Sequence, residues 1–176
     1  MDGAPPKIHS YKNAGGMMSK VSLPVMGGCL CGRIRFEATD QPYWIGYCHC
    51  RMCQRASGGP FIFYVNFWKR NVTFTKGTPA IYQSSSWAER GFCRDCGTPL
   101  FLQYRDVPVL SDARRSLIGF TIGCLDDPTP YQATEHQGVE GRLANVNIVD
   151  DLPCSRADDD PQIKAARALE TYTKER

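Results

Sequence analysis

The sequence lacks any apolar run near the roughly 20 residues needed to cross a bilayer, and no signal-peptide-like apolar segment lies near its start. These absences predict a soluble, cytoplasmic protein with no membrane partner. Charge of one sign is also lacking. Lys and Arg number 21 against 18 Asp and Glu, a net charge of +3, which gives no reason to expect a nucleic-acid partner. No internal repeat or low-complexity tract is visible, which excludes a solenoid. Cysteine is the residue in excess, at nine. In a reducing compartment such a count points to metal rather than to disulfides, and an odd number leaves at least one thiol outside any pairing scheme.

Seven of the nine cysteines fall into three clusters: Cys29 with Cys31, Cys48 with Cys50 and Cys53, and Cys93 with Cys96. Three thiols within six residues exceed what a small core residue requires. Short spacings of this kind turn sulfurs towards one point, as in zinc knuckles. Two divisions fit the spacing. Cys50 and Cys53 can join Cys93 and Cys96 as a long zinc ribbon, leaving Cys48 with the first knuckle. Alternatively, the terminal knuckles clasp one ion and the central triplet holds another. The second leaves no orphan thiol and is the expectation here: two zinc ions per chain, one closed and one open. Four thiolates close a tetrahedral site, whereas three leave the position that catalytic zinc keeps free. Completion of the triplet by His49 or by another thiol, giving a second structural site, remains an alternative. Disulfides within so tight a knuckle would be strained. Arg33, Arg51, Arg55, Arg90 and Arg94 lie near the knuckles and can offset the negative charge of zinc thiolates, or else stand as solvated surface residues. Cys124 ends an apolar strand and reads as buried; Cys154 has no evident role.

A hydrophobic content of 42% with 22% charged residues is ordinary for a globular chain of this length. Three segments are expected: a flexible arm over 1–20, a zinc-binding β domain over 21–155, and a helix with tail over 156–176. Within the domain, 33–38 alternates polar and apolar residues and 43–47 precedes the triplet, both as strands. A single helical turn is expected over 54–57, ended at Gly58. Residues 61–67 read as a strand buried on both faces. Further short strands are expected at 72–75, 80–82, 100–104 and 117–123, with a loop over 128–142. Asp160 followed by Pro161 predicts a helix start. Ile163, Ala166, Leu169 and Tyr172 then form an apolar side that docks on the domain or on a second copy of the chain, as a homodimer. The fold class expected is all-β, with small twisted antiparallel sheets around zinc knuckles and a short C-terminal helix.

The motifs Gly28-Cys29-Leu30-Cys31-Gly32, Cys48-His49-Cys50-Arg51-Met52-Cys53, Thr75-Lys76-Gly77, Arg90 to Leu100 and Gly123 to Pro128 together resemble the glutathione-dependent formaldehyde-activating enzyme and centromere protein V-like family. The resemblance covers about residues 27–128. It implies an all-β fold of coiled sheets, akin to a zinc-binding Rab-exchange chaperone. It also implies a structural zinc on Cys29, Cys31, Cys93 and Cys96, and a catalytic zinc on Cys48, Cys50 and Cys53. The late part departs from the pattern: family members follow the Asp-Pro turn with a proline, a histidine and a tryptophan, and here no tryptophan follows Trp87. His136 stands either for that histidine or for an exposed loop residue.

The function this implies is a carbon–sulfur lyase that joins a thiol, glutathione, to a small aldehyde, formaldehyde. A soft three-thiolate site suits a substrate sulfur better than hydrolysis. No general base and no substrate-binding residue can be named from the sequence. Two other readings stand beside it: a non-enzymatic zinc scaffold that binds a partner, and an enzyme of the same fold acting on another small electrophile.

Overall fold

A computed structural model describes residues 21–169, so the arm read over 1–20 and the tail beyond 169, Tyr172 included, lie outside the described residues. The all-β expectation holds. Eleven strands form two sheets, with one short helix near the C-terminal end and two others between strands.

The smaller sheet contains β1 (Val25–Gly28), β2 (Arg35–Ala38) and β5 (Val72–Lys76), in the order β1-β2-β5 and fully antiparallel. The larger contains β3 (Trp44–Cys48), β4 (Ile62–Trp68), β6 (Ala80–Gln83), β7 (Ala88–Phe92), β8 (Pro99–Tyr104), β9 (Leu117–Thr121), β10 (His136–Gln137) and β11 (Cys154–Ser155). Its order is β11-β10-β3-β4-β9-β8-β7-β6. The pairings there are antiparallel except at one margin, where β10 runs parallel to both β3 and β11.

Alternation along β4 explains why the larger sheet is covered on both sides. Val65 and Phe67 turn to the main core with Phe36 and Ala38 of β2, Ile45 of β3, Leu100 and Phe101 of β8 and Phe120 of β9. That core therefore lies between the sheets, and Phe36 stacks on Phe120 with ring centroids 3.7 Å apart. Ile62 and Tyr64 turn the other way, into a cluster with Trp44 and Cys53. A third cluster joins Trp87 and Ala88 to Leu110, Ile163 and Ala166.

Helix α1 (Arg51–Ser57) begins three residues before the single turn expected at 54, because Cys50 sits at its N-cap with extended backbone. Gly58 ends it with φ of 73°, as expected of a left-handed C-terminal glycine. A second short helix, α2 (Asp112–Arg115), precedes β9. Helix α3 (Pro161–Ala168) starts where the Asp160-Pro161 pair predicts. The Asp160 carboxylate accepts hydrogen bonds from the backbone N–H of Gln162 and Ile163 at 2.9 and 3.1 Å. Its apolar side docks on the chain's own Trp87 cluster through Ile163 and Ala166, while Leu169 is exposed. No helix of the described residues is long and apolar enough to cross a membrane.

The loop expected over 128–142 is corrected: it contains β10 and a 3-10 turn. The strand forms because its backbone is captured between two others, although only two residues long.

Candidate functional site

Two groups of sulfurs converge. In the first, Cys29 and Cys31 follow β1, and Cys93 and Cys96 fill the β7–β8 connection. Their four Sγ atoms lie within 4.8 Å of one another. Cys29 to Cys31 is 3.5 Å and Cys31 to Cys93 is 3.8 Å. Four sulfurs about 2.3 Å from a common tetrahedral centre stand roughly 3.8 Å apart, so this donor set fits one zinc ion.

The two knuckles are built alike. Each ends in a glycine with positive φ, 70° at Gly32 and 73° at Gly97, a conformation other residues resist. The Gly32 N–H donates to the Cys29 carbonyl at 3.0 Å, and the Gly97 N–H to that of Cys93 at 2.9 Å. Thr98 ties the halves together: its Oγ1 accepts from the Leu30 N–H at 3.1 Å and lies 3.1 Å from Cys96 Sγ. The contacts from Thr98, side chain first and then backbone, hold the Cys96 thiol down at about 6. Burial raises the Cys29 thiol, but the Ile34 N–H, donating to Sγ at 3.2 Å, helps bring it below its usual value.

In the second group Cys48 ends β3, Cys50 caps α1 and Cys53 lies one turn into that helix. Their Sγ atoms also lie within 4.8 Å of one another, with Cys48 and Cys50 at 3.5 Å. The spacing follows from a strand that turns directly into a helix at Cys50. The donor set again suits a thiophilic ion. Cys53 is buried while Cys48 and Cys50 are half-buried. Among the three, only the Cys53 thiol is shifted down. Hydrogen bonds from Cys48 and Cys50 hold it well below the usual thiol value, against its burial, and the Arg90 guanidinium helps.

The structure therefore brings together the sulfurs of the terminal knuckles, and separately those of the central triplet. The ribbon-like alternative is not the grouping observed. Cys124 is buried, its thiol pushed up to about 12 by that burial, and takes no part; Cys154 is exposed.

Two residues that sequence reasoning did not assign touch Cys53. Tyr64 Oη of β4 lies 3.6 Å from Cys53 Sγ, and Arg90 Nη2 of β7 lies 3.5 Å from it. Arg90 Nη1 donates to Tyr64 Oη at 2.9 Å. Tyr64 and Arg90 also line a cleft of about 480 Å³, whose wall includes Met52 and Arg55 of α1, Tyr82 and Phe101. Arg90 was visible as a cation near a knuckle, but its nearest knuckle in sequence is the wrong one: it reaches across strands to the central triplet.

His49 does not join the thiols. It is buried and points towards β10, with Nε2 2.8 Å from His136 Nδ1. His136 is fully buried, which corrects the exposed-loop alternative. Asp150 can only accept, so His136 Nε2 donates to it at 3.0 Å. Burial, then the charge of Arg142, pushes His49 down to about 4. Gln54 Nε2 donates to the carbonyls of His49 and Gly141 at 2.7 Å each, fastening the knuckle to the late segment.

Comparison with known proteins places these groups in context. Residues 24–140 match the family described as glutathione-dependent formaldehyde-activating enzyme. An uncharacterized lyase of Schizosaccharomyces pombe is 36% identical over 78 residues, covering 44% of this chain and 56% of that protein. The match thus spans little more than half of the relative's length. A solved structure of a Rhodobacter sphaeroides protein is 17% identical with a TM-score of 0.44, covering 73% of this chain and 98% of that one.

Proposed function

Since this chain belongs to the glutathione-dependent formaldehyde-activating enzyme family, we propose that it is a zinc-dependent carbon–sulfur lyase that joins a thiol, glutathione, to formaldehyde or a similar small aldehyde. The observation that carries the reading is the three-cysteine group of Cys48, Cys50 and Cys53, touched by two residues of a cleft wide enough for a small substrate. The similarity to a protein named as a lyase supports the same reaction class. On this reading Cys29, Cys31, Cys93 and Cys96 hold a structural zinc and the triplet holds the catalytic one.

Zinc bound at the triplet supplies a template and a Lewis acid, favouring a thiolate ligand or a polarised carbonyl. The protein's own residues do the rest. Arg90 and Tyr64 fix the Cys53 sulfur from the side of the cleft. Met52, Tyr82 and Phe101 give that cleft apolar surface beside the polar side chains of Arg55, Ser84 and Arg90. In the addition, the sulfur forms a bond to the aldehyde carbon while the carbonyl oxygen takes up the proton that the thiol loses. His49 is spent on His136, so neither buried histidine faces the thiols as a base.

Exchange spectroscopy of formaldehyde, glutathione and S-hydroxymethylglutathione, with and without the fully zinc-loaded protein, tests the reading. Faster exchange in its presence is expected. No acceleration would reject this chemistry in favour of a scaffold or of another electrophile.

A further inference from the structure

Arg90 is a half-buried cation that pairs with no carboxylate among the described residues. Among the described residues its side-chain contacts are Tyr64 Oη at 2.9 Å and Cys53 Sγ at 3.5 Å. The other arginines near the knuckles differ. Arg33 pairs with Asp95 and Arg51 donates to Gln54, whereas Arg55 and Arg94 touch no thiol among the described residues. Taking a guanidinium out of water is costly unless an opposite charge compensates. Among the described residues in contact with Arg90, the group able to supply that charge is the cysteine cluster, through Cys53.

We propose that Arg90 is the residue that fits the central site for an anionic sulfur ligand, its fixed positive charge offsetting the charge that a substrate thiolate brings. The inference rests on the open-site reading above and deepens it. Three thiolates around a divalent ion carry −1, and a thiolate ligand would make that −2. Arg90 returns the two sums to 0 and −1. A neutral ligand adds no charge and has less to gain from Arg90. The guanidinium fork also suits the place, since one arm holds Tyr64 while the other faces Cys53. Arg90 thus acts through Cys53 and is a positioning residue.

The test uses the full chain loaded with cobalt(II), its visible spectrum followed during titration with 2-mercaptoethanol or with imidazole, and its metal content measured alongside. In Arg90→Gln or Arg90→Met, binding of 2-mercaptoethanol should weaken about 10- to 100-fold, as removal of one close charge implies. Imidazole binding should change by less than about threefold. Arg90→Lys should restore most of the thiol preference. Equal losses for both probes, or an unchanged preference in the neutral variants, would overturn the proposal and leave the open site standing. If the wild-type protein with full metal binds neither probe, both readings fall. Should neither neutral variant fold, Arg90→Lys and Tyr64→Phe decide. Both keep the cation and must keep the preference within about threefold, and its collapse in either would overturn the proposal.

Discussion

His136 is fully buried within a loop-like stretch of sequence, and its ring is a fastening between two parts of the chain. Its Nδ1 accepts from His49 Nε2 on one side and its Nε2 donates to Asp150 on the other. It also stacks on Tyr47 of β3, with centroids 4.9 Å apart. Its loss would leave His49, only 2% exposed, without its partner. An unsatisfied buried polar group costs about 1–3 kcal/mol. We expect His136→Ala to lose about that much stability in urea denaturation while keeping its metal content. A variant as stable as the wild type would mean that the histidine pair does not hold the late segment in place.

At the scale of elements, the four-sulfur group clasps the end of β1 to the β7–β8 connection, across a long stretch of chain. A structural zinc contributes an apparent binding free energy of about 10–16 kcal/mol, and domains are typically stable by only about 5–15 kcal/mol. Cys31→Ser or Cys96→Ser should therefore give insoluble or unfolded protein, as circular dichroism and solubility would show; a folded Cys96→Ser would contradict a structural role. How much of this was legible depended on how local each signal is. The cysteine clusters, β4, the Gly58 stop and the start of α3 are written in adjacent residues. Strand β1 is hidden, because Gly28 reads as part of a knuckle although it lies in a strand that pairs with β2. Strands β5 and β6 are neighbours in sequence, yet they lie in different sheets. Residue alternation sets which face is buried but not which sheet a strand joins. Strand β10 carries no side-chain pattern, since backbone pairing with β3 and β11 creates it. The link from Arg90 to Cys53 is not legible for the same reason: it exists only once the fold brings β7 against the triplet.

For the whole molecule, the clustered thiols divide by what their loss should do. The four-sulfur group joins distant segments, whereas the triplet closes only a few residues between β3 and α1, and the main core does not depend on it. An ion held by the triplet should therefore be dispensable to the fold. Native mass spectrometry of the purified wild type and of Cys50→Ser, with circular dichroism on both, measures this directly. Two zinc ions are expected in the wild type, and one in a folded Cys50→Ser that no longer accelerates formaldehyde–glutathione exchange. One zinc in the wild type, or an unfolded Cys50→Ser, would contradict it.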